Sequence, residues 1–401
     1  MKTTSTIRRQ SGAVSLFVVL FATLLITVVT VSFLRLMIKD QNQASNADLS
    51  QSAYDSSMAG VEDAKRALIN FQQQCQTQGA AACNLLASQI SAADCNDALR
   101  IDSIVTDPEG EVSIQQSSNG TRDSKLDQAY TCVKIALDTE DYLGTLSAYQ
   151  SRIIPLSTGG AAFDSATIEW YSLDDISTNQ TAKAVNLEAV STAQPLYRTT
   201  SWPDGRPPVM RAQLIQTGGT GFTLEQFNNN VDASGTINSN ANTLFLYPTS
   251  VVTASSRSFT TYDARQTPKK AEDAPLPVRC SANLVGGGYA CKVRLDIPLP
   301  TEGSGRTTYL RVTPFYQATH FRVTLSSGTL PVMFRGVQPE IDSTGRANDL
   351  FRRVQTRVEL TDANYPYPDA AIDTTGNLCK DFSVTTQTSD FPLYNAVRCI
   401  P

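Results

Sequence analysis

The stretch SGAVSLFVVLFATLLITVVTVSFLR, Ser11 to Arg35, decides the architecture, because no charged residue interrupts it before Arg35. Its apolar part, Ala13 to Leu34, is about 22 residues long. As a helix rising about 1.5 Å per residue it spans roughly 33 Å, enough for a hydrocarbon core of roughly 30 Å. A secretory signal has a shorter apolar run, of roughly 7 to 15 residues, with a small-x-small site after it. Here the small residue, Gly12, comes before the run.

The preceding residues, MKTTSTIRRQSG, carry Lys2, Arg8 and Arg9 and no acid. Positive-inside asymmetry holds that end in the cytoplasm and sends the remainder out. Arg35 and Lys39 oppose the asymmetry, but they sit on a continuing helix whose long side chains snorkel at the interface. No proline occurs from Ala13 to Cys75, and Gly60 is the lone glycine there. Leu49, Ala53, Val61, Ala64 and Leu68 recur at helical spacing, leaving Gln51, Asp55, Glu62, Lys65 and Arg66 largely elsewhere. The helix is therefore expected to leave the membrane and lay one face on a folded head, with a kink near residues 42 to 50 as an option.

At 401 residues the chain can bury one large core or two modest ones. A formal charge of -5 gives no basic footprint for nucleic acid. The eight cysteines, Cys75, Cys83, Cys95, Cys132, Cys280, Cys291, Cys379 and Cys399, all lie beyond the apolar run. An even number on the exported side fits an oxidising compartment and a disulfide framework. Proximity in sequence favours Cys280 with Cys291 and Cys379 with Cys399. The four N-terminal cysteines then pair among themselves, in an order that stays open.

From Cys75 to Cys132 the pattern is mixed, with a short helix expected between Ala81 and Leu99 and a brief strand from Glu111 to Gln116. Beyond Tyr130, strand-like runs dominate: CVKIALD, YLGTLSAYQSRIIPL, SATIEWYSL, PVMRAQLIQT and NTLFLYPTSV. Val293, Leu295, Ile297 and Leu299 alternate with Lys292, Arg294, Asp296 and Pro298, the period of two that marks a sheet with one wet face. Phe321, Val323 and Leu325 repeat it, as do Val354, Val358 and Leu360. The segments 222–240 and 254–277 show no such period and read as long loops, and QTPKKAEDAPLP is the best candidate linker. The terminal SGTLPVMFRGVQPEIDSTGRANDLFRRVQTRVEL reads as strand, turn and strand.

Catalytic chemistry finds few footholds. His320 is the single histidine, there is no G-x-S-x-G elbow, and a strand histidine at a sheet surface is the better reading. No C-x-x-C pair or histidine cluster supplies a zinc site, so no metal and no cofactor are expected. The acids Asp138, Glu140 and Asp141, and Asp107, Glu109 and Glu111, lack calcium-loop spacing and read as solvated turns. Gly218 to Thr223 and Gly286 to Gly288 lack the phosphate-loop ending and read as turns. Trp170 and Trp202 are assigned to packing.

A basic leader, a glycine, an apolar helix and an amphipathic continuation into a disulfide-bearing head resemble type IV pilins and type II secretion pseudopilins. GAVSLFVVLFATLL followed by SAYDSSMAGVEDAKRAL is most similar to the PilX-like minor pilins. The resemblance covers roughly the first 75 residues, with a loosely pilin-like C-terminal disulfide loop. It implies that a prepilin peptidase cleaves after Gly12 and that Ala13 becomes the methylated mature terminus, where major pilins usually carry Phe. It also implies that Ala13 to Leu34 packs against other pilin stems after passage through the inner membrane. Major pilins place a glutamate at the fifth mature position, and this chain has Phe17. A carboxylate in an apolar filament core is costly without a partner such as a neighbour's terminal amine. Phe17 avoids that cost and forgoes the pairing, which points to a low-abundance subunit that primes assembly or sits at the tip.

The expected fold is thus α+β: a long N-terminal membrane-spanning, pilin-type helix packed on a large antiparallel β-rich head with disulfides. The divisions are a leader (1–12), a stem helix (13–75), a mixed α/β disulfide region (76–130) and a head (131–401) with its linker at 265–278. The expected role is structural and not enzymatic, at the inner membrane (N-in, C-out) and then at the cell surface. The alternative is a membrane-anchored adhesin or a glycan-acting surface enzyme.

Overall fold

The proline-free N-terminal sequence forms a single element. In the computed structural model, α1 (Gly12–Gln78) is a helix of 67 residues. It stays helical through Asn42 and Ser50, where a kink was an option. The structure describes residues 12–104, 106–114, 127–176, 184–189, 201–216, 230–231, 237–238, 243–251, 256–259, 275–284, 288–301 and 308–360. All of these belong to one compact unit that ends at Leu360. Cys379 and Cys399, and the loop their pairing would close, lie outside the described residues.

Gly79, at φ 83°, separates α1 from α2 (Ala80–Ile90). A Cys75–Cys83 disulfide joins the two helices across this turn. The helix expected over Ala81 to Leu99 ends at Ile90, and a 3-10 helix follows over Asp97–Asp102. Ser91 caps the end of α2, and Asn96 opens the 3-10 helix. It adopts a left-handed φ of 66° and directs its polar groups to β structure. Its N–H donates to Val133 O at 3.0 Å, its Oδ1 accepts from Val133 N at 2.8 Å, and its Nδ2 donates to Gly110 O at 2.8 Å. Beside it, Cys95 is bonded to Cys132, 37 residues away in sequence.

Seventeen strands are described. The first five are β1 (Val112–Ser113), β2 (Gln128–Thr139), β3 (Asp141–Leu146), β4 (Arg152–Pro155) and β5 (Phe163–Ser172). Next come β6 (Val209–Gln216), β7 (Asn230–Val231), β8 (Ile237–Asn238), β9 (Thr243–Thr249), β10 (Ser256–Ser258) and β11 (Leu276–Arg279). The chain continues through β12 (Tyr289–Thr301), β13 (Thr308–Phe315), β14 (Thr319–Ser327) and β15 (Leu330–Val332). It closes with β16 (Phe334–Ala347) and β17 (Leu350–Arg357).

Several expectations need correcting against this order. The two segments read as loops contain β7, β8, β10 and β11, which are short and carry no period to read. β11 pairs in parallel with β9, and β10 in parallel with β12, so the head is antiparallel-rich rather than purely antiparallel. The expected linker cannot extend to residue 278, because β11 begins at Leu276. The brief strand expected over Glu111 to Gln116 is β1, only Val112–Ser113. At the other end β17 stops at Arg357, although Val358 and Leu360 still donate N–H bonds to Pro339 and Val337.

The strands build three main sheets. The first runs β1-β2-β16-β17, the second β10-β12-β5-β14-β15 with β3 also on β14, and the third β11-β9-β6-β13-β4. The second and third bury a shared core that includes Trp170, Ile168, Phe321, Leu214, Leu246 and Val312. Trp170 is fully buried and donates from Nε1 to Pro208 O at 3.0 Å. Cys280–Cys291 closes one end of this core. A second core lies between the first sheet and the helices and includes Val61, Ala64, Leu68, Ile90, Val133 and Ile341. β16 joins the two, with Val337 in one core and Ile341 in the other.

Helix α1 lies unusually close to the first sheet. At Gly345 of β16, a Cβ would fall against the backbone nitrogen of Ser57 and the carbonyl oxygen of Ala53, well inside van der Waals contact. At Gly60 of α1, a Cβ would fall on Ser343 Oγ and Val133. Ser343 Oγ donates to Ser57 O at 2.8 Å, and Tyr130 Oη donates to Asp63 Oδ2 at 2.7 Å. The register between β16 and β2 slips between Thr344 and Gly345, a bulge located where the helix meets the sheet.

Candidate functional site

Two places in the molecule stand out, and the first is the free end of α1. Leu16 to Leu34 is a continuous uncharged surface whose large apolar side chains are at least half exposed; Phe17 is 63% and Leu34 55% exposed. The three threonines in it return their hydroxyls to the helix itself. Thr23 donates to Val19 O at 3.0 Å, Thr27 to Leu24 O at 2.8 Å and Thr30 to Ile26 O at 2.5 Å. These three hydroxyls are thereby satisfied within the helix, as an apolar medium requires. The segment is long and apolar enough to cross a membrane, and none of it is buried against the head. Gly12 and Ala13 are the first residues of α1.

From residue 49 onward the helix changes character. Ala53, Ser56, Ser57, Gly60, Val61, Ala64, Ala67 and Leu68 are buried on the first sheet, while Gln51, Asp55, Glu62 and Arg66 face solvent. Leu49 is half-buried at the junction. The solvent face carries Lys65–Glu62 and Arg66–Asp63 ion pairs, at 2.6 and 3.1 Å, that add little to stability at such exposure.

The second place is a cleft of about 480 Å³ between the first and second sheets, lined in part by Thr145, Tyr289, His320, Gln338, Glu340 and Arg357. His320 lies on β14, half-buried, as expected for a sheet-surface histidine. Sequence reasoning missed its partner, Asp175, which sits 145 residues earlier just after β5. His320 Nδ1 is 2.7 Å from Asp175 Oδ1, and the backbone N–H groups of His320 and Ser172 also donate to that carboxylate. These bonds make Asp175 a staple between β5 and β14. Burial first, and then the Asp175 charge, push the neighbouring Tyr171 hydroxyl up to about 12.

Elsewhere in the cleft Gln338, Arg357 and Glu340 are committed to the fold. Gln338 brackets Leu143, accepting from its N–H at 2.9 Å and donating to its carbonyl at 2.8 Å, as a neighbouring strand would. Arg357 donates to the Asp141 carbonyl and carboxylate, both at 2.7 Å, and pairs with Glu340 at 3.5 Å. The imidazole that lines the cleft is held by Asp175 from outside it, and no serine or cysteine is in the lining.

The other sequence candidates fall into structural roles. Asp107 caps the turn to Glu111, whose carboxylate pairs with Arg346 at 2.6 Å. Hydrogen bonds from Arg346 to Glu111 and Asp127 raise the Arg346 pKa above its ordinary value. Asp141 pairs with Arg357, and Asp138 is 3.7 Å from Arg335. Among the described residues no group of three or more His, Cys, Asp or Glu side chains is arranged to hold a metal. Trp202 is half-buried and stacks on Tyr316, with ring centroids 4.2 Å apart. Gly218 to Thr223 lies outside the described residues, and Gly288, at φ 80°, is a turn before β12.

No family model, no curated protein and no solved structure matches the chain.

Proposed function

We propose that this chain is a minor-pilin-like structural subunit of a type IV pilus or related secretion filament, of the PilX-like kind. The observation that carries the reading is a single helix, bare and apolar over Leu16 to Leu34, that continues unbroken into a half docked on a disulfide-bonded β head. In this reading the bare half resides in the inner membrane, N-terminus inside, until it joins the stems of other pilins. A prepilin peptidase removes the leader after Gly12, leaving Ala13 as the methylated terminus. The head is presented at the cell surface. Phe17 stands where a stem glutamate would pair with a neighbour's amine, which assigns the subunit to priming or to the tip.

N-terminal sequencing of the mature protein, together with the Gly12→Leu variant, tests this. Wild type is expected to begin at Ala13 and to shed with filaments. Gly12→Leu is expected to keep its leader, a mass increase visible on intact-protein spectrometry. An anchored adhesin or surface enzyme would instead keep residues 1–12 in both forms and would stay with the membrane when filaments are sheared.

A further inference from the structure

β17 ends the first sheet: β16 pairs with one of its edges, and among the described residues no strand pairs with the other. The register to β16 runs through all eight residues without a bulge, and no proline or glycine interrupts the strand. Which residues face the open side follows from the ladder. Val358 and Leu360 donate N–H bonds to Pro339 and Val337 in the same register, so the even-numbered residues bond to β16. Phe351, Arg353, Gln355 and Arg357 therefore turn their backbone N–H and C=O groups to the open edge. Such an edge is a template for another strand.

The edge is exposed and basic. Phe351 is 55% exposed, and Arg352, Arg353 and Gln355 are exposed as well. The strand carries Arg352, Arg353 and Arg357 and no acid. Arg357 is spent within the fold on Asp141 and Glu340. Arg353 pairs with Asp342, and at its exposure that pair holds it weakly. Arg352 donates to Ser50 Oγ at 2.8 Å, and among the described residues no carboxylate pairs with it. Two copies of β17 joined edge to edge would set arginines near arginines, at a like-charge cost. A strand bearing acids meets no such cost.

Ser50 also fixes where the edge lies. α1 meets Ser343 and Gly345 of β16 at Ser57 and Ala53, and reaches β17 at Ser50. The bare half of α1 thus leaves the head past β17, and subunits packed along that half approach this edge first. At its other end β17 borders the cleft of about 480 Å³, which Gln355 and Arg357 line together with Thr145, Tyr289 and His320. A strand added there has a recess beside it for alternate side chains.

We propose that β17 takes up an extended, acidic segment of another filament subunit as an added strand, held by the backbone groups of Phe351, Arg353, Gln355 and Arg357 and selected by the charges of Arg352 and Arg353. That the partner is a filament subunit rests on the pilin reading; the pairing rests on the edge itself.

The test is fluorescence anisotropy of the full chain in detergent micelles at low salt with three labelled octapeptides. One alternates valine with aspartate, one alternates valine with lysine, and the third is the aspartate peptide methylated at its two central backbone nitrogens, one facing each side. The aspartate peptide is expected to bind, and the other two to bind about tenfold more weakly or not at all. Gln355→Pro removes one donor from the open edge and leaves the ladder to β16 whole. It is expected to weaken the aspartate peptide about tenfold with the melting temperature of the head unchanged. Arg353→Gln is expected to narrow the gap between the aspartate and lysine peptides. The proposal fails if the aspartate peptide does not bind, if the lysine or methylated peptide binds as well, or if Gln355→Pro retains affinity. A substantial fall in melting temperature in Gln355→Pro also overturns it, because that N–H would then serve the fold. So does a dimer in sedimentation that Gln355→Pro dissolves, which would make a second copy the occupant. Processing at Gly12 plays no part in these measurements, so a mature terminus other than Ala13 would remove the filament subunit as partner without touching the peptide result.

Discussion

The two halves of α1 share one backbone and meet different surroundings. Over Leu16 to Ile38 the side chains are large, branched and exposed on every side. Over Ala53 to Ala67 the buried positions are small, with Ala, Ser and Gly predominating, and the helix approaches β16 closely enough to leave no room for a Cβ at Gly345. Large apolar side chains serve where the surroundings conform to the helix, as lipid or neighbouring stems do. Small ones serve where a rigid sheet must be approached backbone to backbone. The helix is thus anchored to the head by shape and offered to its environment by hydrophobicity.

The sharpest way to break this contrast is Gly345→Ala. One methyl group would have to enter space held by the Ser57 nitrogen and the Ala53 carbonyl, which are backbone and cannot rotate aside. The expected cost is about 5 kcal/mol, the upper end for a single substitution, and the docked half of α1 should separate from the first sheet. Limited proteolysis reads this as new cleavage between Ala53 and Phe71. Retention of the wild-type pattern would mean that the close approach is not a constraint.

The sequence discloses the two halves unequally. The exposed half is legible because hydropathy is local: about 22 uncharged residues need no partner to be recognised. The docked face was also readable, since Ala53, Val61, Ala64 and Leu68 follow helical spacing and are all buried. What they dock on was not, because Gly345 and Ser343 lie nearly three hundred residues away and look like turn residues in DSTGRAND. The same limit hid Asp175 from His320. Asn96 is different in kind. The helix that composition alone extended to Leu99 stops at Ile90, and Asn96, in a left-handed turn bonded to Val133, starts a separate 3-10 helix.

A weaker perturbation, aimed at the other half, is Leu25→Lys. It places a charge mid-way along the bare segment, at a site 64% exposed and out of contact with the head. Transfer into a membrane should become less favourable by about 3 kcal/mol. Carbonate extraction should then release a large share of the protein, while the thermal midpoint of the head stays at the wild-type value. A fall in that midpoint would show that the two halves are not independent.

The smallest effect is expected from Tyr130→Phe, which trims the docked interface by one hydroxyl and leaves its packing intact. Tyr130 is 1% exposed and donates to the Asp63 carboxylate, a charge-assisted bond worth about 1.5 to 3 kcal/mol. Burial first, and then that bond, raise the Tyr130 pKa above its ordinary value. A raised folded-state pKa favours the protonated form, so the contribution is fully present below the unfolded pKa of about 10 and is lost as pH climbs past it. In denaturant titrations wild type should exceed Tyr130→Phe at pH 8, and the gap should narrow steadily above about pH 10. Tyr171 and Tyr289 are also raised but are present in both proteins, so their alkaline losses cancel in the difference. A gap that stayed constant with pH would place the cost of the substitution in packing and not in the bond to Asp63.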